Sequence, residues 1–65
     1  MRGKYKHFKG NIYKVLYVAK DSETLEDLVI YQATYGNKQI WVRKLVNFNE
    51  KVRTPQGIVS RFTKL

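Results

Sequence analysis

Six cations, Arg2, Lys4, Lys6, Lys9, Lys14 and Lys20, run through the first twenty residues between Tyr5, His7, Phe8, Tyr13 and Tyr17, and no acid stands among them. Ammonium and guanidinium groups attract phosphate whatever the base sequence, and aromatic faces stack on any base, so the mixture suits single-stranded nucleic acid. It equally suits a small basic β protein whose lysines form a solvated face and whose rings are core. A second group lies further on. Trp41 can stack on a flat ring, and Arg43 and Lys44 beside it can hold a phosphate. The plainer role of such an indole is half-buried cover for one end of the fold. The candidate nucleic-acid-binding residues are therefore Lys4, Lys6, Lys9, Lys14, Trp41, Arg43 and Lys44.

Catalytic chemistry has less to stand on. His7 is the only histidine, and its unperturbed pKa of about 6.5 suits a base, but no second histidine accompanies it for a metal. No Gly-x-Ser-x-Gly motif surrounds Ser22 or Ser60. Asp21, Ser22 and Glu23 supply oxygens for a hard cation, yet the segment lacks the central glycine and closing glutamate of a calcium loop, and a solvated turn accounts for it. The residues point to a non-enzymatic binding module with no catalytic residue, no metal and no cofactor.

A chain of 65 residues makes one domain, 1–65. It hides only about 60% of the surface its unfolded form exposes, so most large side chains are committed to a core. Cysteine is absent, which removes disulfides and thiolate zinc sites and fits a reducing compartment. No run approaches the ~20 apolar residues of a membrane span, and the polar start lacks the apolar stretch of a signal peptide, so the expected location is the cytoplasm. The net charge of +8 favours acidic partners: nucleic acid, anionic lipid heads or an acidic protein surface. Four of the five acids, Asp21, Glu23, Glu26 and Asp27, crowd into one short stretch and leave both ends cationic.

Turn signals at Gly10-Asn11, Lys20 to Thr24, Gly36-Asn37 and Thr54-Pro55-Gln56-Gly57 separate runs rich in β-branched and aromatic residues. The runs Tyr5 to Lys9, Ile12 to Ala19, Leu28 to Tyr35, Gln39 to Arg43 and Gly57 to Phe62 read as strands, and Leu45 to Glu50 as one short helical turn. Phe8 and Tyr13 are expected to pair across the first hairpin. A two-residue loop at Gly36-Asn37 sets Tyr35 opposite Lys38, Tyr31 opposite Val42 and Gln32 opposite Trp41. That register turns Ile40 and Val42 to the core and Trp41 and Arg43 outward; an odd-length loop would exchange the two sets.

The ordered segments Tyr5-Lys6-His7-Phe8-Lys9-Gly10, Tyr13-Lys14-Val15-Leu16, Ser22-Glu23-Thr24, Val29-Ile30-Tyr31-Gln32-Ala33, Tyr35-Gly36, Trp41-Val42-Arg43 and Phe48-Asn49-Glu50-Lys51-Val52 span nearly the whole chain. Together they resemble the bacterial domain-of-unknown-function family 1653. The resemblance implies a small SH3-like barrel or roll and brings no assigned catalytic or binding residue with it. Two positions depart from the family's usual pattern: Asp21 stands where histidine is common, and Lys44 where proline is common.

The sequence thus leads to an all-β SH3-like barrel or roll of about five antiparallel strands. Its leading function is a binding module whose basic, aromatic surface contacts RNA or single strands. An alternative is a protein-interaction module that docks an acidic or aromatic peptide beside Trp41 and Tyr35.

Overall fold

Alternation of inward and outward side chains carries the chain through seven strands and one helical turn. They are β1 (Gly3–His7), β2 (Ile12–Lys20), β3 (Asp27–Ala33), β4 (Ile40–Lys44), α1 (Leu45–Phe48), β5 (Lys51–Thr54), β6 (Gly57–Ser60) and β7 (Phe62–Lys64). This computed structural model describes all of residues 1–65. Five strands form one antiparallel sheet in the order β4-β3-β2-β1-β7, and β5 with β6 forms a separate hairpin. The fold is all-β, as expected, and the sheet is an open one with β4 and β7 as its edges. No helix is long and apolar enough to cross a membrane. The expected strand Gly57 to Phe62 divides at Arg61 into β6 and β7. The sequence pattern does not announce β5, because Lys51-Val52-Arg53-Thr54 offers a single apolar residue.

One face of the sheet is covered and the other is bare. Val29, Tyr31 and Ala33 of β3 are buried, while Leu28, Ile30 and Gln32 between them are partly exposed. Tyr5, Val15 and Phe62 complete the sheet's share of the core, and Phe48 of α1 closes it from above at 1% exposure. The Phe48 ring lies flat on Phe62 at 4.1 Å and 4°. It meets the edges of Tyr5 and Tyr31 at 5.3 and 5.7 Å. Arg61 holds this plug in place. Its Nε donates to the Asn47 carbonyl at 3.1 Å, its Nη2 to Glu50 Oε1 at 3.1 Å, and its backbone N–H to the Glu50 carbonyl at 3.0 Å.

The β3–β4 hairpin differs from the expected register by one residue. Tyr31 pairs with Trp41, Ile30 with Val42 and Val29 with Arg43. The loop has odd length because Lys38 takes a left-handed conformation (φ 57) after Gly36 (φ 59), adding a residue to the simple two-residue turn. Trp41 and Arg43 therefore stand on the inner face, and Ile40 and Val42 on the outer one. Trp41 remains 51% exposed all the same, on a strand that has a neighbour on one side only. In the first hairpin Tyr13 pairs with Tyr5, not Phe8, which lies in the turn beyond β1.

Phe48→Ala is expected to cost about 3–5 kcal/mol, a large share of what so small a domain has at roughly 0.05–0.15 kcal/mol per residue. Urea denaturation should show it largely unfolded. Val46→Ala, on the exposed side of the same turn, should stay within about 0.5 kcal/mol of the parent. Equal midpoints for the two variants would contradict this account of the core.

Candidate nucleic-acid interface

Pairing of β1 with β2 sets Lys4 directly opposite Lys14 and Lys6 opposite Ile12, while Tyr5 and Tyr13 between them turn inward. Lys4, Lys6 and Lys14 thus share the outer face. Directly opposed side chains have Cβ atoms about 4.5–5.5 Å apart, and two like charges at that distance oppose folding. Neither lysine is relieved by an acid: the ion pairs of the molecule are Lys20–Asp27, Lys44–Glu26 and Arg61–Glu50.

A β-bulge beside this pair builds a shallow depression. The register of β2 on β3 slips between Val15, opposite Tyr31, and Tyr17, opposite Ile30. Leu16 is the extra residue, and regular pairing without the bulge would carry Tyr17 after Tyr13 and Val15 onto the inner face. The bulge sends Tyr17 outward, 57% exposed. Arg2 bridges the irregularity: its Nε donates to the Leu16 carbonyl at 3.0 Å, and its guanidinium carbon lies 5.1 Å from the centre of the Tyr17 ring. The resulting hollow, about 280 Å³, is lined by Arg2, Gly3, Lys14, Val15, Leu16 and Tyr17. A cation tied at its inner end and an exposed ring beside two opposed lysines can receive a phosphate and an unstacked base.

The other expected site residues lie elsewhere. Lys9 sits in the β1–β2 turn, its Nζ 5.9 Å from the Phe8 ring centre, beside a cleft of about 370 Å³ that Arg53 and Pro55 of the β5–β6 hairpin help to line. Trp41 and Arg43 occupy the opposite face at the β4 edge, where Arg43 Nε donates to the Tyr31 hydroxyl at 3.4 Å. Lys44 belongs to the acidic end, 3.4 Å from Glu26. It keeps φ −56, a value that proline could also adopt. Arg2 and Tyr17 are the site members that the sequence-based set omits. Both stand in the cationic, aromatic opening segment, but their facing depends on the bulge.

The titratable groups set apart by the sequence are absorbed into local structure. His7 Nδ1 accepts the Lys9 amide at 3.2 Å, and its ring packs against Phe8 and Phe62 at 4.6 and 5.0 Å. Partial burial lowers its pKa, with help from the positive charges of Arg43, Arg61 and Lys9. Asp21 Oδ1 accepts the Glu23 and Thr24 amides at 2.8 and 3.2 Å, and those bonds lower its pKa. The oxygen that a cation would use already caps the turn. Tyr13 and Tyr35 share a hydroxyl hydrogen bond of 2.7 Å, which is the main reason the Tyr13 hydroxyl is pushed up to about 12.

Residues 3–64 match the family described as Protein of unknown function (DUF1653). The chain is similar, with 34% identity and a TM-score of 0.91, to the crystal structure of a DUF1653 protein from Bordetella bronchiseptica, over 100% of this chain and 86% of that one. None of the curated proteins matches it.

Two measurements check this geometry. Lys14→Glu should stabilise the domain by about 0.2–1 kcal/mol, because it converts the repulsive pair with Lys4 into an attractive one; a destabilised variant would mean the two side chains do not face each other. His7, with its pKa held below the ordinary 6.5, takes up protons less readily folded than unfolded. Its contribution is complete above about pH 6.5 and is lost as pH falls through the lower folded value. His7→Gln should therefore flatten the fall in stability below about pH 6.5, whereas a slope matching the parent's would contradict the assigned burial.

Proposed function

The chain belongs to the DUF1653 family, whose function is unassigned, and from that premise we propose that it is a small non-enzymatic module that holds RNA or another single-stranded nucleic acid on the outer face of its sheet. The observation that carries this reading is the Lys4–Lys14 pair, two cations held opposite each other at a cost to folding and left without an acid. Phosphates would relieve that repulsion. In this reading Lys4, Lys6 and Lys14 take successive phosphates, Arg2 takes another with the N–H groups that its bond to Leu16 leaves free, and Tyr17 stacks one base over the hollow. Lys9 extends the cationic path around the β1–β2 turn. The contacts are to backbone and ring faces, so binding discriminates little among bases. The cysteine-free composition suits work in the cytoplasm.

Fluorescence anisotropy with a labelled single-stranded RNA, repeated over a range of salt concentrations, tests the proposal. Four cations on phosphate give a log–log salt slope of about −3, and the double variant Lys4→Gln, Lys14→Gln should bring it to about −1.5. Tyr17→Ala should weaken binding by about 1–3 kcal/mol while leaving the slope alone. Absent binding, or affinity indifferent to salt, would overturn it.

A further inference from the structure

Ile40, Trp41 and Val42 are consecutive large apolar side chains, 51%, 51% and 60% exposed, on a strand that has a neighbour on one side only. We propose that the open edge of β4 accepts an extended acidic segment of another protein as an added sixth strand.

The backbone is prepared for such a guest. The Ala33 amide bonds to the Gln39 carbonyl at 3.0 Å, so in the alternation of an antiparallel pair Gln39, Trp41 and Arg43 direct their N–H and C=O groups to β3. Those of Ile40 and Val42, together with the Lys44 N–H, point away from the sheet, while the Lys44 carbonyl belongs to the start of α1. The Ile40 carbonyl is covered by its neighbour's side chain, with Gln39 Nε2 at 3.2 Å, a stopper that a rotamer change removes. An added strand would lay one row of side chains on Ile40 and Val42 and the other beside Trp41 and Arg43.

Charge decides what the guest is. From Leu28 to Asn49 the chain holds three cations, Lys38, Arg43 and Lys44, and no acid. Edges exposed this fully are usually guarded by proline, a bulge or charge, and here charge is the guard. It repels a second copy of this chain, which brings the same cations and a net charge of +8. It admits an acidic segment. Lys44 already pairs with Glu26, so Arg43, engaged through its Nε alone, is the nearest cation for a guest carboxylate on the inner face. On the outer face Ile40 and Val42 call for apolar side chains. The segment therefore alternates acidic and apolar residues. The edge ends at a hollow of about 230 Å³ that Lys44 lines with Leu25, Leu45 and Val46 and with Glu26 and Asp27, where an apolar residue fits.

Titration of isotope-labelled protein with a Glu-Val repeat of roughly six residues, an ordinary strand length, followed by amide NMR signals, tests the assignment. The expected result is movement and slowed hydrogen exchange at Ile40, Val42 and Lys44, with a Lys-Val repeat inert. Val42→Pro removes an N–H that faces solvent and should leave β3 pairing intact while weakening the Glu-Val repeat by about tenfold or more. Should Val42→Pro fail to fold, Val42→Glu serves instead, weakening the Glu-Val repeat while Val42→Lys does not. Signals that move only at Lys4, Lys6 and Lys14, equal binding of both repeats, or dimerisation of the free protein through β4 would each overturn the proposal.

Discussion

The stacking of Phe48 on Phe62, flat at 4.1 Å, is the contact on which the rest of the structure depends. Seven of 65 residues are buried, and a single helical turn covers the sheet's inner face with the Phe48 ring, Leu45 packing beside it. A four-residue helix has too few hydrogen bonds to persist by itself. Arg61 secures it: its fork joins the Asn47 carbonyl and the Glu50 carboxylate while its backbone continues into β7. The rings of Tyr5, Tyr13, Tyr31, Phe48 and Phe62 then pack edge to face around that stacked centre.

With a single layer of cover available, the molecule has an inner face committed to folding and an outer face free for other duties. Antiparallel sheets commonly leave one side to solvent. Here that side carries two unlike regions: the opposed lysines and Tyr17 of β1 and β2 with Arg2 just before β1, and the apolar residues Ile30, Ile40 and Val42 on β3 and β4. The acids that pair with cations lie away from the first region, at the Lys20 to Asp27 turn and beside Arg61. Segregation of charge along the chain thus becomes segregation in space. Like charges directly opposed, as Lys4 and Lys14 are, oppose folding, and the proposed function would relieve them with phosphates.

Much of this was legible in the residues. Runs of β-branched and aromatic residues between turn residues at Gly10, Gly36 and Gly57 announce the strands, and the acid-free opening segment announces the lysine face. Two backbone irregularities were not legible, and both decide where a ring points. Lys38 adopts a positive φ that lysine does not advertise, which shifts the register and takes Trp41 and Arg43 to the inner face. Leu16 forms a bulge inside an unbroken Val15-Leu16-Tyr17-Val18 run with no glycine to mark it, which turns Tyr17 out. Trp41 keeps half of its surface exposed, but on the inner face of an edge strand and not on the outer face that a two-residue turn implies. Sequence pattern reports which residues alternate, and a single inserted residue decides which set faces which way.

The claim that the outer face of β1 and β2 is the nucleic-acid surface is tested most directly by mapping amide and indole NMR signals during titration with a short single-stranded RNA. Movement is expected to concentrate at Arg2, Lys4, Lys6, Lys14 and Tyr17, with the Trp41 indole signal on the opposite face unmoved. Movement centred on Trp41 and Arg43, with the lysine face silent, would contradict it.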